Sequence, residues 1–399
     1  MHANPRPRGH RSTATPHNVT LSLSKGEPWS ANRHRVTLKP PDALLLGSVA
    51  FLCALGLVMV FSASSATAYA DFHDTAHYLK RQVAYLLVGL VLAYVVYRLD
   101  YRKLRGVAPT FVAVTFVLLI LTMVPHVGLA AGGSHRWLGL RAISFQPSEV
   151  GKLALVLFLA AKLSQLGEGI RSLSKGVAPV LFVTALLAGP VLIEPDMGTA
   201  SLYIFTAFAM LFTSGARLVH LFMCAIVMAP PAAFAVLSSP YKRDRILAFL
   251  NPWKDAQNTG FHIVQSLLAL GSGGFFGLGL GASRQKYFYL PMPHTDFIFA
   301  VIGEELGMLG CITVIALFVL FAVRAVTLAI AVQDRFGMLL ALGCTFMIVI
   351  QAFVNIGVVT SSWPVTGVPL PFMSFGGTSL IVSLIAVALI ANITRHRHA

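Results

Sequence analysis

The chain has 399 residues, 56% of them hydrophobic and only 11% charged, with a formal net charge of +15. A soluble domain carries roughly 25% charged residues, so this composition excludes a soluble enzyme or binding module and describes a membrane protein. No Walker A loop, HExxH or GxSxG pattern occurs in the sequence, which removes nucleotide hydrolysis, zinc proteolysis and serine-esterase chemistry from consideration.

Residues 1–41 are rich in Pro, His, Ser and Arg without apolar periodicity and read as a disordered basic cytoplasmic tail. From there to the end the chain reads as one all-α polytopic membrane domain, 42–399. Apolar runs of about 17 to 25 residues suffice to cross a hydrocarbon core of about 30 Å. They predict about ten transmembrane helices near 44–61, 82–97, 108–125, 149–163, 177–193, 197–214, 217–237, 297–322, 336–359 and 375–393, with a long outer loop, 238–295, between helices 7 and 8. The small residues "SASSATA" (62–68) mimic a signal-peptide cleavage site. The tail before the first run is about forty residues and the run about eighteen, both long for a signal peptide, so an uncleaved first helix is expected.

Basic loops resist translocation. With the N-terminus inside, nineteen of the 30 Lys and Arg fall on inner segments, which places both ends in the cytoplasm. The inner charges suit an anionic lipid surface. Ten others, including Arg136, Arg141, Lys242, Arg243, Arg245 and Lys286, fall on outer segments, mainly loops 126–147 and 238–295, and point to an anionic ligand on the outer face. Cys53, Cys224, Cys311 and Cys344 lie within predicted helices, show no CxxC spacing and read as packing residues.

Four polar stretches sit at outer helix ends, where an ionisable group is costly unless paired or hydrated. In "RWLGLRAISFQPSEVGKLALVLFLA" (136–160), Pro147 and Ser148 mark a helix start, and Glu149 and Lys152 share one face three residues apart. Two readings stand side by side: a local ion pair, or a lysine directed at phosphate. Arg136 and Trp137 are either substrate contacts or an interfacial anchor. In "EPDMGTA" (194–200), Asp196 suits a helix start. The outer loop 238–295 contains "YKRDRILAFLNPW", an amphipathic "FHIVQSLLALG" and a glycine-rich "GSGGFFGLGLGAS". Such composition argues for an ordered loop, and glycines alone are a weak phosphate signal. In "GVVTSSWPVTGVPLPFMSFGGTSL" (357–380), backbone irregularity at membrane depth suits a cavity wall. Ser374, Gly376 and Gly377 either present N–H groups to an anion or form a re-entrant turn.

These stretches, with "GLVMVFSAS", "GSGG", "LPMPHTDFIFAVIGEELG" and "PLPFMSFGG" in the same order, resemble the SEDS family (shape, elongation, division and sporulation), from about Asp42 to the end. Within that family "EPDMGTA" and "LGASRQKYFYLP" look more like the division branch than the elongation branch. The resemblance implies a ten-helix glycosyltransferase polymerising lipid II, the undecaprenyl-diphosphate disaccharide-pentapeptide, on the outer face of the cytoplasmic membrane at the septum. It also implies a class B penicillin-binding protein transpeptidase and other division proteins as partners, and no nucleic acid.

The family's catalytic aspartate falls on Asp296, which would take the proton from an acceptor sugar hydroxyl, although its place at a helix N-terminus argues for only a small upward pKa shift. Lys152, Arg243, Lys286 and Arg136 are the candidates for stabilising the diphosphate. Glu149, Trp137, His294, Thr295, Ser374, Gly376 and Gly377 complete the candidate substrate-binding set. A divalent cation, Mg or Mn, is compatible with this chemistry, and no motif for holding one occurs. Glu304 and Glu305 lie deeper in the helix and are expected to pair inside the bundle. The alternatives are a lipid II flippase, which calls for ionisable groups along a path to both faces, and a non-catalytic division scaffold. The crowding of charge at the outer mouth favours the enzyme. One departure stands out: the family commonly has Leu-Pro-Glu four residues ahead of the aspartate, and this chain has Leu290-Pro291-Met292, leaving His294 as the nearest substitute acceptor.

Overall fold

The computed structural model describes residues 2, 40–124, 128–131, 134–140, 143–286 and 293–396. The expected tail, Arg141, Met292 and Arg397 therefore lie outside the described residues. Twelve α-helices occur among the described residues: α1 (Ala43–Phe72), α2 (His77–Arg98), α3 (Leu104–Thr122), α4 (Pro147–Leu166), α5 (Ala178–Ile193), α6 (Met197–Thr213), α7 (Leu218–Leu237), α8 (Pro240–Leu250), α9 (Phe261–Ser272), α10 (Ile298–Ile330), α11 (Arg335–Val359) and α12 (Gly377–Thr394). The ten expected spans correspond to α1–α7 and α10–α12. Among the described residues eight helical segments are long and apolar enough to cross a membrane, while α6, the first part of α7 and α9 are shorter apolar pieces. The protein is a multi-pass membrane protein.

Burial separates centre from periphery. In the most apolar windows of α11 and α12, 72% and 89% of residues are buried, against 11% for α2, so α11 and α12 form the middle of the bundle and α2 faces lipid. α1 begins where Asp42 accepts a hydrogen bond from the Leu45 N–H and pairs with Arg324 of α10. It runs eleven residues beyond its expected end at residue 61, because the small polar residues that weaken the apolar signal are packing residues. Ser62, Ala63, Ser64 and Ala68 are all buried, and the Ser62 hydroxyl donates to Glu305 at 2.6 Å.

The domain is helical as expected, with one small addition in a loop. Loop 126–147 contains a small antiparallel sheet in the order β1-β2-β3, built from β1 (Leu129–Ala131), β2 (Ser134–Leu140) and β3 (Ile143–Phe145), with Leu138 opposite Phe145. Strands this short leave no trace in a search for membrane-length runs.

The glycine-rich stretch is ordered, as expected, and its purpose is close backbone approach. α10 breaks at Gly307, where φ is 67°, and the loop supplies the hydrogen bonds the break removes. Leu278 N and Gly279 N donate to the carbonyls of Glu304 and Glu305 at 2.9 and 3.0 Å, while Met308 N and Leu309 N donate to those of Gly274 and Phe275 at 3.0 and 3.3 Å. Backbone groups at membrane depth must find protein partners, and the two irregular segments satisfy each other. A Cβ at Gly307 would lie 2.3 Å from Gly277 N, so both strands of this contact require glycine. Behind it, Glu304 accepts from the Ser283 hydroxyl and from Arg284 N, and Glu305 pairs with Lys286 at 3.1 Å. The glutamates are thus partnered inside the bundle.

Candidate active site

Asp296 lies two residues before α10, and its position is set from α11. Asn355 Nδ2 donates to the Asp296 carbonyl at 2.8 Å and to that of Val368 at 2.7 Å, fixing the aspartate beside the irregular segment between α11 and α12. Its side chain faces a cavity of about 380 Å³, with Arg245, Asn258, Thr259, His262, Phe297 and Gly367 also on its wall. The His262 ring stacks on Phe297 with centroids 5.8 Å apart and planes 14° apart. A Cβ at Gly367 would lie 3.6 Å from Asp296 Oδ2, so the backbone there forms one side of the carboxylate's enclosure.

Burial pushes the Asp296 carboxyl up to about 6, against the downward pull of the Arg245 guanidinium; Asp196 adds an upward push and Arg136 a downward one. Desolvation is the largest of these influences. A carboxylate titrating near 6 is mostly ionised at neutral pH yet more basic than a free aspartate, which suits proton abstraction.

A second acidic cluster adjoins it. Asp196 caps α6, accepting from Thr199 N at 3.0 Å, the Thr199 hydroxyl at 2.9 Å and Gln146 Nε2 at 3.3 Å, with Arg136 Nη1 at 3.9 Å. Burial raises its pKa and Arg136 opposes the rise. Glu194 is pushed up to about 7 by burial although the Thr122 hydroxyl donates to it. Gly198 lets α6 approach the 365–370 segment, since a Cβ there would come within 2.5 Å of the Thr366 carbonyl.

Of the candidates from the sequence, Asp296 and Arg136 are brought within electrostatic reach of each other, with Thr295 adjoining Asp296 in the chain. Trp137 sits on β2, half-buried, opposite Leu129. Glu149 and Lys152 form the local ion pair, 2.7 Å apart and with side chains 4% and 3% exposed. Lys152 also donates to Gln351 Oε1, and Gln351 Nε2 donates to the Pro369 carbonyl at 2.8 Å and to the Ser379 hydroxyl at 3.2 Å. The lysine thus acts on the site through Gln351 and the segment that walls it.

The remaining candidates are placed elsewhere. Lys286 is buried against Glu305, Ser62 and the Gly281 carbonyl. Arg243 is exposed beside Asp244. It lies two residues from Arg245 on α8, and positions two apart on a helix point to nearly opposite sides, so one arginine faces out when the other faces the cavity. His294 packs against Tyr78 and Phe375, at 4.4 and 5.8 Å between centroids, and burial lowers its pKa to about 4. It belongs to an aromatic cluster and is not on the cavity wall. Ser374 closes a turn, its hydroxyl accepting from Leu370 N at 2.8 Å and its N–H donating to the Leu370 carbonyl at 3.0 Å. Gly377 packs against the Tyr85 ring, and Gly376 caps α12 with its carbonyl accepting from Leu380 N at 2.9 Å. Ser374, Gly376 and Gly377 thus belong to a turn that leads from Leu370 into α12.

Sequence reasoning did not single out Arg245, His262, Asn355 or Gly367. Arg245 was visible only as one of three basic residues in "YKRDR", and the start of α8 at Pro240 decides which of them turns inward. Among the described residues no three His, Cys, Asp or Glu side chains converge as metal ligands.

Residues 42–399 match the model of the FtsW, RodA and SpoVE family, described as a cell cycle protein. The chain is 44% identical over 353 residues to a probable peptidoglycan glycosyltransferase FtsW of Trichlorobacter lovleyi, covering 88% of this chain and 93% of that one. It is 41% identical over 356 residues to the stage V sporulation protein E of Bacillus subtilis, covering 89% and 97%. Its structure is similar to a chain of a peptidoglycan synthase complex that coordinates polymerization and crosslinking, with a TM-score of 0.74 at 32% identity, covering 89% of this chain and 98% of that one. The rod shape determining protein RodA of Thermus thermophilus is similar at a TM-score of 0.66 and 30% identity, over 90% and 98%.

Proposed function

We propose that this chain, which belongs to the FtsW, RodA and SpoVE family, is a peptidoglycan glycosyltransferase that polymerises lipid II, with Asp296 as its base. The observation that carries the assignment is the Asp296 carboxyl set beside Arg245 on the wall of one cavity in a chain of this family. The acceptor sugar's 4-hydroxyl gives its proton to Asp296 as its oxygen bonds to the donor's anomeric carbon. The bond from that carbon to the diphosphate oxygen breaks, and the lipid diphosphate leaves as an anion. Arg245 and Arg136 offset the charge that grows on the leaving group. Asn355 holds the base through its backbone carbonyl, and Gln351 with Lys152 holds the adjoining wall.

In this reading the chain lies in the cytoplasmic membrane with both ends in the cytoplasm and Asp296 on the outer side, where a lipid-linked headgroup emerges. It works at the septum beside a class B penicillin-binding protein, which crosslinks the new glycan, and with other division proteins. Purified with its cognate transpeptidase, the protein should form glycan from lipid II in the presence of moenomycin. Flipping of lipid II in vesicles with no polymer under any condition would overturn the reading.

A further inference from the structure

A second cavity lies in the opposite half from Asp296. It is a groove of about 650 Å³ between α1 and α2, floored by α12. Its wall on α1 runs from Leu46 to Leu57 and on α2 from Leu86 to Tyr97. Each stretch covers about 16 Å at about 1.5 Å per residue, matching the roughly 15 Å of hydrocarbon in one leaflet. The lining is almost wholly aliphatic until the end near Arg98 and Arg395. There Tyr94 and Tyr97 line it, and each carries a guanidinium over its ring, Arg98 at 5.5 Å from the Tyr94 centroid and Arg395 at 4.6 Å from that of Tyr97.

The groove is fixed in shape. α2 and α12 are joined at their ends by Asn392 Nδ2, which donates to the carbonyls of Val96 and Leu99 at 2.9 and 2.6 Å. Across the groove, α1 is anchored to α10 through Asp42 and Arg324. Two guanidiniums at one end of an otherwise apolar groove match a headgroup phosphate above acyl chains. We infer that the groove is a binding site for one anionic phospholipid of the leaflet remote from Asp296, its chains along α1 and α2 and its phosphate between Arg98 and Arg395. The tyrosines stand at the depth where aromatic rings meet the headgroup level, and each arginine orients toward the lipid charge while stacked.

The test is native mass spectrometry of the full-length protein, delipidated and re-exposed to phosphatidylglycerol or phosphatidylcholine of equal chain length. Wild type should retain one phosphatidylglycerol in preference to phosphatidylcholine. Arg98→Gln with Arg395→Gln should cut that preference by about fivefold per arginine while leaving the folded level unchanged. Ala50→Phe with Ala388→Phe, which fills the groove, should abolish retention of both lipids. Should the filled variant fail to fold, Ala50→Phe alone supplies the same comparison. Equal retention of the two lipids by wild type, or unchanged phosphatidylglycerol retention in the filled variant, would overturn the inference, as would a groove occupied by a copurifying polypeptide in place of lipid.

Discussion

Removing the Lys152 ammonium while Glu149 remains is the sharpest test of how the site is held. The pair is 2.7 Å apart, with side chains 3% and 4% exposed, so Lys152→Met strands a buried carboxylate, a change that costs about 3–5 kcal/mol. It also takes the donor from Gln351 Oε1, adding about 1–3 kcal/mol for an unsatisfied buried acceptor. Glu149→Gln with Lys152→Met removes both charges and leaves only the second cost. The single variant should therefore lose most of its folded yield and thermal stability in detergent, and the double variant should recover the greater part. Polymerisation per folded molecule should recover with it, because Lys152 reaches the site only through Gln351 and the Pro369 segment. A double variant that folds like wild type yet polymerises more than about a hundredfold more slowly would refute this reasoning and put Lys152 on the diphosphate.

Because the base must be ionised, the rate should fall about tenfold per pH unit below about 6 and level off above it. Arg245→Gln removes the largest influence holding the Asp296 pKa down, so the acid limb should move to higher pH, and a limb that stays in place would separate Arg245 from the base. Gly307→Ala adds strain at a φ of 67° and a contact at 2.3 Å, and should abolish folded protein in size-exclusion assays. Gly47→Ala, with nothing within 4 Å, should be neutral or stabilise by up to about 1 kcal/mol. Wild type should polymerise with Met292 where the resemblance leads one to expect an acid, and Met292→Glu should alter the pH profile or cation dependence more than it alters folding. An inert wild type revived by Met292→Glu would show that Asp296 alone is an insufficient base.

The membrane helices were legible because a span of hydrocarbon demands a long apolar run, and the ten expected runs reappear as α1–α7 and α10–α12. What escaped were features that depend on local backbone geometry. The SASSATA segment is helix because its small side chains pack against α10, a cause absent from hydropathy. The glycine-rich loop and the break at Gly307 are complementary only in three dimensions. For the site, Asp296 could be named from a carboxylate at a helix start together with the family resemblance, and Arg136 from a basic outer loop, whereas the place of Lys286 depended on Glu305 beside it. His294 looked like a polar site residue, yet its neighbours Tyr78 and Phe375 come from segments far away in sequence. Arg245 required knowing the phase of α8.

The central claim is that the carboxylate of Asp296 carries the chemistry, and the most direct measurement is glycan formation from lipid II by Asp296→Asn, purified with its cognate transpeptidase. The substitution is nearly isosteric and leaves the Asn355 hydrogen bond to the backbone carbonyl in place, so the variant should fold and insert like wild type. Its rate should fall by at least the about 10²–10⁴-fold that general-base catalysis supplies. Polymerisation by the folded variant at near the wild-type rate would contradict the account.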